Sequence, residues 1–200
     1  MSNRVVMTEQ ETPRETTELF QRLHDLENRV LELEQRQKNL ERDIPEPRIS
    51  IVVMSGDYDR VLAAFVIATG AAAMGLQVSM FFTFWGLGVL RQNRRLRGKG
   101  LLEKAFTLLT PAGAEELSLS RLNFAGIGLR LLKRQMRRRN ISSLSELIAF
   151  ARDLGVRMVA CQMSMDVMGI KPDELQPGPE TGGVATFLAD ATKSKATLFI

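Results

Sequence analysis

A single cysteine, Cys161, and a single histidine, His24, stand in 200 residues. One cysteine excludes an intrachain disulfide, and with it the disulfide-stapled secreted domain. One Cys and one His cannot build an all-Cys/His zinc site, so no metal and no cofactor is expected. His24 falls in a charged helical repeat, so a Ser-His-Asp or Cys-His pair would need that arm folded onto the rest of the chain. A CxxC redox pair, a GxxxxGK[ST] phosphate loop and a GxGxxG fingerprint are all missing. The N-terminus is polar and charged without an apolar signal core, and a reducing cytoplasm is the expected location.

What is present supports one compact domain with an appendage. The hydrophobic share of 44% is enough for a real core. The net charge of +4 is modest but unevenly spread. Residues 1–47 hold 7 Lys/Arg against 11 Asp/Glu, a balance of −4, whereas residues 91–139 hold 13 against 3, a balance of +10. An acidic head and a basic middle share one chain.

Residues 1–15 are polar and expected to be a disordered tail. From there Leu19, Leu23, Leu26, Val30, Leu33, Gln37 and Leu40 are spaced alternately four and three apart. That is an a/d seam with densely charged flanks, which predicts a self-associating coiled-coil helix over 16–44 and hence a homo-oligomer. Pro45 and Pro47 end it, and 45–48 reads as a stiff linker to a domain over 49–200.

In that domain, β-branched residues 49–54 predict a first strand, and Ser55-Gly56-Asp57 the turn after it. An alanine-rich helix follows over 57–74, then a second strand over 77–84, ended by Trp85-Gly86, and a helical turn over 87–90. No charged residue lies between Arg60 and Arg91, and 61–84 is long enough to span a bilayer. Gly70, Gly75 and Gln77 divide that run and its second half is β-prone. A buried helix followed by a buried parallel strand therefore explains it better.

Residues 91–120 read as a basic excursion outside the core. Residues 121–139 read as a helix ending in Lys133-Arg134-Gln135-Met136-Arg137-Arg138-Arg139. Its cations either complement the helix dipole or form a face for an acidic partner, RNA or a peripheral membrane contact. With no interleaved aromatics, sequence-specific nucleic-acid reading is not expected. Ser143 and Glu146 fit a capping box opening the next helix. Val156–Ala160 predicts a buried strand delivering Cys161 to its C-terminal end. Ser164 is the expected N-cap of a short helix starting at 165–166. A helix over 184–191 and a closing strand over 197–200 complete the chain.

Strands alternating with helices predict an α/β fold, a mostly parallel sheet with helices on both faces in flavodoxin- or Rossmann-like layering. In such sheets chemistry gathers beyond the carboxyl ends of the strands. Ser55-Gly56-Asp57, Phe84-Trp85-Gly86 and Cys161-Gln162-Met163 are all expected there. A thiol between a strand end and a helix start is favoured as thiolate. Asp57 or Asp166 is a candidate counter-group, and Gln162 and Ser164 are candidate hydrogen-bond donors. Met158, Met163, Met165 and Met168 form either a soft surround or ordinary core filling.

The segments SGDYD at 55–59, AAAMGLQVSMFFTFWGLGVLR at 71–91, ACQMSMDVMGI at 160–170 and GGVATFL at 182–188 resemble the DsrE/DsrF/DsrH-like family, in its FFTFWG-bearing branch. The resemblance covers about residues 49–200 and leaves out the coiled coil. It implies a small α/β sulfurtransferase or sulfur carrier. The family's cysteine, here Cys161, holds sulfane sulfur as a persulfide and passes it between donor and acceptor proteins.

Three functions are compatible with these residues. The first is a sulfur carrier using Cys161, supported by Ser55, Gly56, Asp57, Trp85, Gly86, Gln162, Met163, Ser164 and Asp166. The second is a non-enzymatic oligomeric adaptor or scaffold, in which Cys161 is a buried small hydrophobe. The third is a one-cysteine thiol peroxidase or redox sensor, weakened because no Thr or Arg stands at a recognisable peroxide-binding spacing.

Overall fold

A computed structural model describes residues 13–43, 45–121 and 123–200. Residues 1–12, most of the expected tail, lie outside the described residues. The chain divides into two units, 1–44 and 45–200.

The first unit is one helix, α1 (Pro13–Asp43). It starts three residues before the expected boundary, with Pro13 at the first helical turn, where its missing N–H has no partner to lose. Leu19, Leu23, Leu26, Val30 and Leu33 of the heptad seam are exposed. The side chain of Leu40, the last seam position, lies outside the described residues.

The second unit is built on five parallel strands in the order β4-β3-β2-β1-β5. β1 (Glu46–Val53) pairs with β2 (Gln77–Phe82) from Arg48 and Gln77 onward. β1 thus begins within the stretch read as a linker, and Pro47 sits inside it. Its register with β5 (Ser194–Phe199) shifts between Glu46 and Ile49, so Pro47 occupies an irregularity where no ladder N–H is required. β3 (Arg157–Cys161) adds to β2, and β4 (Glu180–Gly182) adds to β3. β4 was not expected, being three residues long without an apolar run. β5 starts three residues before the expected closing strand.

Alternation along the strands assigns the two faces. Ile51, Val53, Met80, Phe82, Met158 and Ala160 join the main core beneath α2 (Tyr58–Ala73) and α6 (Leu144–Asp153). The small side chains of Ala64, Ala68 and Ala71 let α2 approach closely. Ser143 and Glu146 form the capping box of α6. On the other face, α8 (Val184–Ala191) contacts β1, β4 and β5, with Phe187 against Phe81, Val159 and Cys161. No described helix is long and apolar enough to cross a membrane. The uncharged run 61–84 is accounted for by most of α2 and by β2.

The excursion after α3 (Leu87–Leu90) is less peripheral than its composition implies. Arg91 and Lys99 are buried and both meet the buried carboxylate of Glu174, at 3.1 and 2.6 Å. Glu174 also accepts from the amides of Arg95 and Lys171. Lys99 also donates to the Thr107 hydroxyl at 2.9 Å, which ties α4 (Leu101–Leu109) to this clasp. The helix expected over 121–139 is shorter, α5 (Ile127–Arg138). Before it, Phe124, Ala125 and Gly126 adopt positive φ and end any continuous helix.

Candidate functional site

β3 brings Cys161 to the carboxyl edge of the sheet. α7 (Gln162–Met168) starts on the next residue, making Cys161 the N-cap residue. The expected cap, Ser164, lies within α7 and is fully buried. Its hydroxyl stands 2.8 Å from that of Thr83, tying α7 to the end of β2. A helix that follows a strand without a loop leaves no room for a cap three residues later.

Cys161 is 4% exposed. It lies on the α8 face of the sheet, with Phe81, Val159 and the partly buried Phe187 around it. The Phe81 and Phe187 rings are 5.3 Å apart and tilted. Cys161 is paired in register with Gly182 of β4. A Cβ on Gly182 would come within 2.9 Å of Val159 and 3.1 Å of Thr186, so only glycine lets β4 and α8 close over this edge. Phe187 and Gly182 were not singled out from the sequence as site residues. The available signal was the GGVATFL segment, where an apolar residue recurs one turn after the glycines.

The loops expected to converge on the thiol form two groups. Ser55, Gly56, Asp57 and Trp85 line one cleft of about 610 Å³, together with Met54 and Phe199. Close packing holds it: a Cβ on Gly86 would lie 2.2 Å from the carbonyl oxygen of Val53, and one on Gly56 would lie 3.0 Å from that of Trp85. This cleft opens beyond the ends of β1 and β5, where the strand order reverses. Cys161 is not among its walls. The second group is on α7, where Gln162, Met163 and Asp166 are exposed.

Neither carboxylate proposed as a counter-group pairs with the thiol. Asp57 accepts from the Ser55 hydroxyl at 3.0 Å and faces Arg60 at 3.5 Å. Asp166 accepts from the Gln162 amide at 2.9 Å. Met158, Met165 and Met168 are buried in the main core, which is the packing alternative, whereas Met163 is exposed. Among the described residues no cluster of His, Cys, Asp and Glu suits a metal ion. The arrangement offers one enclosed thiol at the carboxyl end of an inner strand, with the exposed face of α7 beside it. α4 packs over the end of that helix, where a Cβ on Gly169 would meet Glu103 at 2.7 Å.

Comparison with known proteins places the domain. Residues 45–199 match the sequence model of the DsrE/DsrF/DrsH-like family. An uncharacterized protein of Bacillus subtilis, YrkE, is 44% identical over 154 residues, covering 76% of this chain and 96% of that protein. The sulfur carrier protein DsrE2 of Allochromatium vinosum is 29% identical over 159 residues, covering 78% of this chain and 99% of its own length. Among solved structures, the YchN protein of E. coli aligns over 76% of this chain and 98% of its own, with a TM-score of 0.44 and 12% identity. With more than three quarters of its length matched, the chain belongs to the DsrE/DsrF/DrsH-like family.

Proposed function

We propose that this protein is a sulfur carrier that holds sulfane sulfur on Cys161 and relays it between partner proteins. The thiolate attacks the terminal sulfur of a donor persulfide, R–S–SH. A new sulfur–sulfur bond forms, the donor's bond breaks, and R–S⁻ leaves with the electron pair. The product is Cys161–S–SH, and no electron acceptor is needed. Transfer onward repeats the exchange with an acceptor thiolate.

The observation that carries this reading is the lone thiol at the end of β3, in a chain with no second cysteine to discharge a persulfide as an intramolecular disulfide. The similarity to a sulfur carrier protein over nearly that protein's whole length supports it. The exposed apolar side chains of α7, Met163 and Val167, supply a surface for donor and acceptor proteins beside the sulfur. Self-association through the exposed seam of α1 makes the carrier a homo-oligomer, and a cytoplasmic location goes with a thiol that must stay reduced.

A second reading, an oligomeric adaptor in which Cys161 is inert, draws on the burial of the thiol. Intact-protein mass spectrometry after incubation with a persulfide donor separates the two. A gain of one sulfur atom, reversed by reductant and mapped to Cys161, is expected. No gain, with Cys161 also resistant to alkylation in the folded protein, would overturn the carrier and favour the adaptor.

A further inference from the structure

The outward surface of α5 is cationic and apolar at once. Leu129, Leu132 and Met136 turn inward to the core. Lys133 is fixed over the Tyr58 ring at 5.0 Å and on Glu115 at 2.7 Å. These contacts define the inner face. On the outer face Phe124, Ile127 and Leu131 are 72%, 58% and 61% exposed. Ile127, Leu131, Arg134 and Arg138 follow at helical spacing, so the apolar row runs directly into arginines.

The charges here are all of one sign and unpaired. Arg121, Arg130, Arg134, Arg137, Arg138 and Arg139 are exposed, and none of their side chains has an ion pair or hydrogen bond among the described residues, although Arg137 shares a cleft with Glu115 and Glu146. Some exposed cations elsewhere find carboxylates, as Arg94 does with Glu116 and Arg95 with Asp173, and others, such as Arg97 and Lys195, stand singly and far apart in the chain. The turn leading into α5 holds Phe124 and Ala125 at φ of 36° and 54°, a left-handed backbone that non-glycine residues resist. The exposed ring of Phe124 is carried by that turn.

We infer that the outer face of α5 docks on an anionic lipid surface. Exposed Phe, Ile and Leu side chains enter the headgroup boundary, while the surrounding arginines meet lipid phosphates. Charge complementarity selects an anionic surface, and the apolar row selects one with a hydrocarbon interior. A nucleic acid would use the arginines but leave Ile127 and Leu131 exposed to water. Peripheral attachment of this kind needs no spanning helix, and it is independent of the sulfur chemistry proposed for Cys161.

Co-sedimentation of the full chain with vesicles tests the inference. Phosphatidylcholine vesicles containing phosphatidylserine should bind the protein, and pure phosphatidylcholine vesicles should bind it far more weakly. R130Q/R134Q/R138Q should lower affinity for the anionic vesicles roughly a hundredfold, at about fivefold per arginine. F124S/I127S/L131S should also weaken it, and the loss should persist at high salt, where the electrostatic part is screened. Both variants alter exposed side chains, so an unchanged circular dichroism spectrum keeps the comparison valid. The C161S protein should bind as the parent does. Equal binding to both vesicle types, unaltered binding by both triple variants, or retention on polyuridylate without vesicle binding would each overturn the inference.

Discussion

The ring of Phe187 in α8 packs on that of Phe81 in β2 at 5.3 Å, and the two enclose Cys161 together with Val159. Phe187 is the partly buried member of this cluster, so it is the side chain whose removal should open the sulfur to solvent. Replacing it with alanine should speed alkylation of Cys161 in the folded protein several-fold. The same change should lower stability by about 2–3 kcal/mol, below the range for a fully buried ring. Alkylation no faster than in the parent would show that the thiol is reached by another route, such as movement of α7.

Cys161→Ser should abolish sulfur loading while leaving the thermal transition within a few degrees of the parent. The thiol makes no hydrogen bond among the described residues, so little native interaction is lost. Persistent loading in this variant would remove Cys161 from its assigned role.

Glu174 is the single anion between two buried cations, Arg91 and Lys99. Glu174→Gln strands both charges and should cost about 3–5 kcal/mol in urea unfolding. A loss below 1 kcal/mol would mean that water reaches the clasp.

The same carboxylate gives a pH dependence. Burial alone would raise its pKa, but the Arg95 amide, the Lys99 ammonium and the Lys171 amide outweigh burial and hold it below the ordinary glutamate value of 4.5. A carboxyl depressed in the folded state contributes stability above its unfolded pKa, and that contribution is lost as the pH falls through the folded value. Asp59 is also lowered: burial raises it, and the Ser120 hydroxyl and amide overcome that. Unfolding free energy should therefore be flat near neutrality and fall with pH below 4.5. The fall should be shallower in the Glu174→Gln variant.

Removing residues 1–44 should lower the solution mass of the assembly, read by light scattering. The exposed seam of α1 is the basis for this expectation. An unchanged number of chains per assembly would mean that the α/β domain itself associates, or that the arm never did.

The placement of Cys161 at a strand end was legible because a short apolar run followed by polar residues has few local solutions. The α8 helix and the capping box of α6 were legible for the same reason: capping and periodicity act within a few residues. The start of β1 was not, because Pro47 mimics a linker and is tolerated only through a register shift with β5. Ser164 carried a correct local preference for capping. The absence of any loop after β3 overrode it and turned its hydroxyl to Thr83.

The sequence by itself determined an α/β domain following a heptad helix, with one thiol at the carboxyl end of a strand in a parallel sheet. These follow from side-chain periodicity and residue scarcity, which are short-range or global properties of the chain. Only the tertiary structure decided that Phe187 closes over the thiol and that Ser55, Asp57 and Trp85 line a cleft apart from it. It also decided that two cations of the basic excursion are buried on Glu174, while the arginine side chains of α5 find no carboxylate among the described residues. Each of these depends on which distant segments meet across the sheet. A buried charge is tolerable only where a partner from elsewhere in the chain arrives to meet it.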